Sequence, residues 1–361
     1  MSTTPPARKP AMTRLAMVGV AFVALLIFYA WMTANRPAPT PDALPQEPGE
    51  EAGGRQVVRR GGPPTKNQRP AEDAAAGQLS VQRVLKYGRG EGELGMVLGR
   101  GLAPTGPESF AVARDGSILV ADVVNQRVVV YSRDGTFLRN IELPGIALGD
   151  IITDREGRVF IYDQVRRALH QYDTDGTLHD AFELNPKDIH IRGYFHAAGN
   201  AVFFADAAAQ DVLVAVVRDG RLAPPDPSTE RRAPGIHSES DRVYALSLEK
   251  GQAARVQIWD APEARGEGKA LDIPWPGIVS ARFVGEDDAR RFYIQTERLE
   301  DDRVVLEVLA FSATGERLAV IQMPENDYAI WTAKLVDVRG DGALVALLPQ
   351  QDQAKLNLFT Y

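Results

Sequence analysis

Short apolar runs alternate with polar turn residues from Ser109 to Leu138. Phe110-Ala-Val-Ala113 gives way to Asp115-Gly116, Ile118-Leu-Val-Ala121 to Asp122-Val-Val-Asn125, and Arg127-Val-Val-Val-Tyr131 to Asp134-Gly135 before Phe137-Leu138. Apolar runs of this length, bounded by Asp-Gly and Asn-containing turns, predict short strands joined by tight hairpins. Weaker copies follow about every 41 to 50 residues. Four strands per repeat at that period make one propeller blade, so the pattern predicts an all-β propeller.

Three marks keep step along the repeats. A hairpin turn follows the innermost strand at Asp115-Gly116, Glu156-Gly157 and Gly199-Asn200, spaced by 41 and 42 residues. A second turn precedes the outermost strand at Asp134-Gly135, Asp175-Gly176, Asp219-Gly220 and Thr314-Gly315. The last gap, 95 residues, is two periods, and Gly268 supplies the turn between. Prolines mark the returns to each inner strand: Pro104, Pro144, Pro186, one within 224–234, Pro274 and Pro324. Second strands are expected at 118–121, 158–162, 201–205, 242–246, 291–295 and 343–348. Third strands are expected at 127–131, 168–172, 212–217, 255–259, 304–311 and 355–361. These marks predict a six-bladed β-propeller of four-stranded antiparallel blades over residues 79–361. The sixth blade stops at its third strand, while residues 80–87 form a surplus strand ahead of the first blade. Pairing the two would close the ring and remove its open edges.

Several of these segments resemble NHL-repeat propellers. The match is carried by Gly88-Arg-Gly90-Glu-Gly92-Glu-Leu94-Gly95, by Gly106-Pro107-Glu-Ser-Phe-Ala-Val-Ala-Arg-Asp115-Gly116, and by Ala121-Asp122-Val-Val-Asn125-Gln-Arg127-Val128. Blade two keeps Tyr162-Asp163 and Asp173-Thr-Asp175-Gly176, and blade three keeps Ala205-Asp206. The resemblance implies that Asp122, Asn125 and Arg127, with Asp163 and Asp206, tie strand ends to turns rather than act on a ligand. It is specific over about 90 residues and architectural beyond them.

The N-terminal part follows other rules. Residues 15–34 are uncharged, and 20 residues of helix span about 30 Å, the thickness of a bilayer's hydrocarbon core. Arg8, Lys9 and Arg14 precede the run, which predicts a cytoplasmic N-terminus (residues 1–14) and an uncleaved inner-membrane anchor. Tyr29, Trp31 and Met32 crowd the position where a cleavage site would lie. Residues 35–78 hold eight prolines and six glycines with few large apolar residues, so they are expected to form a disordered tether. The propeller is then placed on the periplasmic, extracytoplasmic side.

Charge and candidate chemistry narrow the function. Net charge is -7 overall, and the portion from residue 79 onward carries -10. Such a surface argues against nucleic acid as a partner. The chain has no cysteine, which removes disulfides, thiolate metal sites and a cysteine nucleophile. It also has no P-loop, no G-x-S-x-G and no H-E-x-x-H, and no cofactor or metal is expected.

Related propellers of the gluconolactonase-like group hold calcium through an acid just before a Gly-Pro. Here Thr105 precedes Gly106-Pro107 and Glu108 follows, which turns the side chain to the other face. Peptide-amidating lyases, also similar, use histidines around zinc. Of His170, His179, His190, His196 and His237, the pair His190 and His196 lies about 20 Å apart along one strand, too far for one ion. His237 would have to join from the next blade. Glu297, Glu300, Asp301 and Asp302 read as a solvated hairpin tip.

Aromatic residues on the connectors offer a docking surface: Trp275 between Pro274 and Pro276, then Tyr328 and Trp331. The expected function is a membrane-anchored module that binds protein or glycan in a cell-envelope assembly. The alternatives are a metal-dependent hydrolase or lyase working in the axial channel, and a sensor of a small ligand.

Overall fold

Ile118 and Val120 turn to one side of their sheet and pack with Val345, Leu347, Leu356 and Leu358, while Leu119 and Ala121 turn to the other and pack with Ile151, Val159 and Ile161. Period-two alternation gives each blade two apolar faces, one for each neighbour. This is why the middle strands are almost continuously apolar. In the computed structural model the described residues are 75–99, 104–173, 175–189, 193–206, 210–229, 232–249, 253–261, 268–273, 277–300, 303–325, 330, 332 and 334–361. Residues 1–74, where the sequence predicts an anchor and most of a tether, lie outside them. No helix among the described residues is long and apolar enough to cross a membrane.

The described chain forms six sheets, each built on four antiparallel blade strands that start from an inner strand. Blade 1 is Phe110–Val112, Ile118–Asp122, Arg127–Tyr131 and Phe137–Glu142, and blade 2 is Leu148–Thr153, Val159–Asp163, Ala168–Tyr172 and Leu178–Glu183. Blade 3 is Gly193–Ala198, Ala201–Asp206, Gln210–Arg218 and Arg221–Ala223, and blade 4 is Ile236–His237, Val243–Glu249, Ala253–Trp259 and Lys269–Ile273. Blade 5 is Ile278–Glu286, Phe292–Glu300, Arg303–Phe311 and Arg317–Gln322. Blade 6 runs Val336–Val338, Leu344–Pro349 and Gln353–Thr360 and is completed by Gln78–Lys86 from the N-terminal side. The closing strand pairs antiparallel with the last one, from Gln78 opposite Thr360 to Lys86 opposite Gln353. The six second strands, the six third strands and the closure all fall where the repeat marks put them.

Two sheets carry additions that the repeat does not predict. Arg232–Pro234 pairs with the start of Gln210–Arg218, beside a short outer strand in blade 3. Ala75–Ala76 lies parallel to Arg317–Gln322 at the outer edge of blade 5, so pairing begins ahead of residue 79. The turn after the inner strand of blade 1 needs its glycine. Gly116 has φ +86°, and an added Cβ would also stand 3.2 Å from the Cβ of Arg133.

Apolar clusters fill the seams between blades 6 and 1, 1 and 2, 2 and 3, 4 and 5, and 5 and 6. The seam between blades 3 and 4 is built differently. There the cluster of blades 4 and 5 takes in Ala205 and Tyr194 of blade 3, and the buried carboxylate of Asp211 joins His196 to His237 across the seam.

Candidate functional site

The inner strands of all six blades line a half-enclosed axial cavity of about 170 Å³. That is small beside the ~300–1,000 Å³ of pockets for drug-sized ligands. Its wall is polar where blades 3 and 4 meet. Asp211 Oδ1 accepts from His196 Nε2 at 2.8 Å, and its Oδ2 accepts from His237 Nδ1 at 2.9 Å and from the His237 backbone N–H at 2.7 Å. Both imidazoles lie nearly parallel to the Phe203 ring, with centroids at 5.3 Å for His196 and 4.5 Å for His237.

Asp211 is wholly buried. Burial alone would raise its pKa, but the charge and hydrogen bonds of His196 and His237 outweigh that and hold the carboxyl below its ordinary range. An ionised carboxylate only accepts, so His196 Nε2 and His237 Nδ1 carry the protons. In the neutral rings, His196 Nδ1 and His237 Nε2 then keep their lone pairs.

Two cations line the cavity as well. The Arg282 guanidinium from blade 5 lies 3.8 Å from the centre of the Tyr194 ring of blade 3. Lys334, 8% exposed, precedes the inner strand of blade 6 and donates to the Ile151 carbonyl of blade 2 at 3.3 Å. Their acidic neighbours are held by fixed donors. Asp150 accepts from Ser109 Oγ and from the N–H groups of Ile151 and Phe195. Asp337 accepts from the N–H groups of Val112 and Val338, and burial pushes its carboxyl up. Burial likewise raises the Tyr194 phenol, against the pull of Arg282.

Glu239, on the turn after the inner strand of blade 4, borders the cavity as well. Burial pushes its carboxyl up to about 7, although the Gly199 N–H and Arg155 favour the ionised form; Asp154 and Glu156 add to the rise.

The sequence-derived candidates fall elsewhere. Trp275, Tyr328 and Trp331 lie outside the described residues, as does His190. Asp122 takes the Gly95 N–H, the Asn125 side-chain amide and Arg127 Nε. Asn125 and Arg127 reach on to carbonyls of residues 88–93. Asp163 caps the turn at Val165 and Arg166, and Asp206 accepts from the Gln210 N–H. His170 and His179 are remote from the cavity lining; His179 pairs with Asp173. Glu300 pairs with Arg298, and the rest of that tip, 301–302, is outside the described residues.

Asp211, Arg282, Lys334, Asp337 and Glu239 were missed from the sequence. A signal for the histidines existed: His196 and His237 are 41 residues apart, about one blade period, so both fall on inner strands of adjacent blades.

No family's sequence model matches the chain, so its likeness to NHL repeats rests on the motifs quoted above. No curated protein matches either. Among solved structures, a streptogramin B lyase is similar at 11% identity over 77% of this chain and 97% of that one, with a TM-score of 0.40. Virginiamycin B lyase from Staphylococcus aureus is similar at 9% identity over 78% and 99%, with a TM-score of 0.43. A member of the DUF4221 family from Bacteroides vulgatus is similar at 12% identity over 80% and 99%, with a TM-score of 0.44. At these values no ligand or activity transfers to this chain.

Proposed function

We propose that this chain is a tethered binding propeller whose working site is the axial cavity, and that it takes a small polar ligand there. The Asp211-bridged pair of His196 and His237 carries the reading. One buried carboxylate fixes both rings, and each ring keeps a second nitrogen for a ligand. Such fixed polar groups in a concave wall are what orient a small ligand. The uncharged run 15–34 and the Pro-rich tether support placing the ring beyond the inner membrane, where it would report on or capture a solute. The test is a thermal-shift screen of the full-length protein against small neutral, anionic and cationic solutes, repeated with Ala197→Trp, which fills the cavity wall. Binding that survives this substitution in a folded variant places the site elsewhere.

A second reading is docking of a protein or glycan in an envelope assembly. Its support is a set of half-exposed apolar side chains near the ends of the blade 4 and blade 5 hairpins: Leu248, Val279, Leu299 and Val304. Pull-down from envelope extracts with wild type and with the Leu299→Glu, Val304→Glu double variant separates the readings. Recovery of the same partner by both removes this one. For metal-dependent hydrolysis or elimination the support is thinner. Two imidazoles face the cavity, and among the described residues no three His, Asp or Glu side chains are placed to hold one metal ion.

A further inference from the structure

The donors and acceptors lining the axial cavity do not balance. An ammonium group has three N–H donors. Lys334 is more than nine-tenths buried, yet its one hydrogen bond among the described residues is the 3.3 Å contact to the Ile151 carbonyl, and it makes no ion pair among them. Leaving a buried charged donor unmet is costly. The charge of Lys334 pulls the Asp337 carboxyl down against its burial, but no nearby acid accepts a hydrogen bond from it among the described residues. Asp150 is filled by a hydroxyl and two backbone N–H groups, Asp211 by two imidazoles and a backbone N–H, and Asp337 by two backbone N–H groups. The surplus donor capacity therefore sits on Lys334, which lines the cavity together with the Arg282 guanidinium.

We infer that the ligand of the axial cavity carries a carboxylate and that Lys334 is its anchor. This deepens the reading of the cavity as a ligand site and rests on it. The three carboxylates close by decide between oxyanions. A singly charged carboxylate accepts from Lys334 with modest repulsion from Asp150, Asp211 and Asp337, whereas a phosphate dianion meets about twice that repulsion. The small cavity volume keeps the remainder of the ligand short. The second nitrogens of His196 and His237 stand ready for its polar groups.

The test is calorimetric titration of the full-length protein with acetate, pyruvate and succinate, each against its neutral amide, and with inorganic phosphate. Lys334→Met and Ala197→Trp are run in parallel. The expected result is binding of at least one acid in preference to its amide, weakened roughly tenfold or more by Lys334→Met, as loss of a charge-assisted hydrogen bond implies. Methionine keeps the length and bulk of the lysine stem, so the Lys334→Met protein should remain folded, which its thermal melt checks.

Amides that bind as well as the acids, phosphate preferred over all of them, or a folded Lys334→Met protein whose binding is unchanged would each overturn the carboxylate anchor. Neutral solutes that bind wild type and are lost in Ala197→Trp would leave the cavity standing as a ligand site. If no solute of any charge distinguishes wild type from Ala197→Trp, the cavity reading falls too.

Discussion

Arg127 Nε donates to Asp122 Oδ2 at 3.0 Å, with both side chains almost wholly withdrawn from water. The remaining guanidinium nitrogens donate to the carbonyls of Arg89, Gly90 and Glu93 at 3.3, 3.0 and 2.8 Å. Asp122 also takes the Gly95 N–H. This pair therefore fastens the segment that leads from the closing strand Gln78–Lys86 into blade 1. A lysine cannot reproduce a planar fork with donors to four acceptors. Arg127→Lys should cost about 2–4 kcal/mol, since hydrogen bonds from a charged group contribute ~1.5–3 kcal/mol each and some will be replaced. Urea unfolding of the full-length protein measures it. A change within ~0.5 kcal/mol, the scale of an ordinary surface substitution, would show that the fork does not hold the closure together.

Asp211→Asn should be similarly damaging, for a different reason. Three donors converge on the two carboxylate oxygens, and an amide offers one acceptor oxygen and a competing NH₂. Removing one partner from a buried charged network costs on the order of 3–5 kcal/mol. Chemical denaturation gives the loss. Ring resonances of His196 and His237 should also broaden or shift together, because one carboxylate orients both. A stable variant with one ring unchanged would separate the two histidines.

The architecture was readable because it rests on local rules. Ile118, Leu119, Val120 and Ala121 are apolar on both faces since each face meets a blade, and Gly116 marks a turn that requires positive φ. The missing fourth strand of blade 6 and the surplus strand before blade 1 announced the closure. The cavity was less readable because its residues converge around an axis from different blades. His196 was weighed against His190 along one strand, whereas its partner in space is His237, one blade on, joined through Asp211 from a third strand. An isolated acid just ahead of Val212-Leu-Val-Ala-Val216 was the available hint of a buried charge. Lys334 and Arg282 gave no such hint, since a single cation beside apolar residues is ordinary in and around an inner strand.

Glu239 gives the stability a pH dependence with a definite sign. Its carboxyl is raised from 4.5 to about 7, mainly by burial, with Asp154 and Glu156 adding to the rise and Arg155 opposing it. Below pH 4.5 it is protonated in both folded and unfolded chains and contributes nothing. As pH climbs from there towards 7 the unfolded chain ionises first, so folding loses stability, by roughly 3 kcal/mol over that interval, and the loss is complete above pH 7. Glu239→Gln should flatten this part of the profile and melt higher than wild type at pH 8. Melting temperatures at half-unit steps from pH 4.5 to 8 check it. An unchanged slope in the variant would assign the dependence to other groups.

His170 should act in the opposite direction on the acid side. Among the described residues neither ring nitrogen has a hydrogen-bond partner, and Asp163 Oδ2 lies 3.9 Å from Nε2. Burial lowers its pKa below 6.5, and Arg166 adds to this, while Asp163 pulls the other way. Well above pH 6.5 the ring is neutral whether the chain is folded or not. As pH falls through 6.5 the unfolded chain takes up a proton that the folded chain refuses, and stability declines. His170→Leu deletes both the titration and two unmet polar atoms while keeping apolar bulk between its neighbours. The variant should therefore match or exceed wild type at pH 8, and its advantage should widen towards pH 5. Parallel urea titrations at those two pH values measure the difference. An advantage that stays constant with pH would mean the ring remains neutral in the unfolded chain too, or that Asp163 restores its proton in the fold.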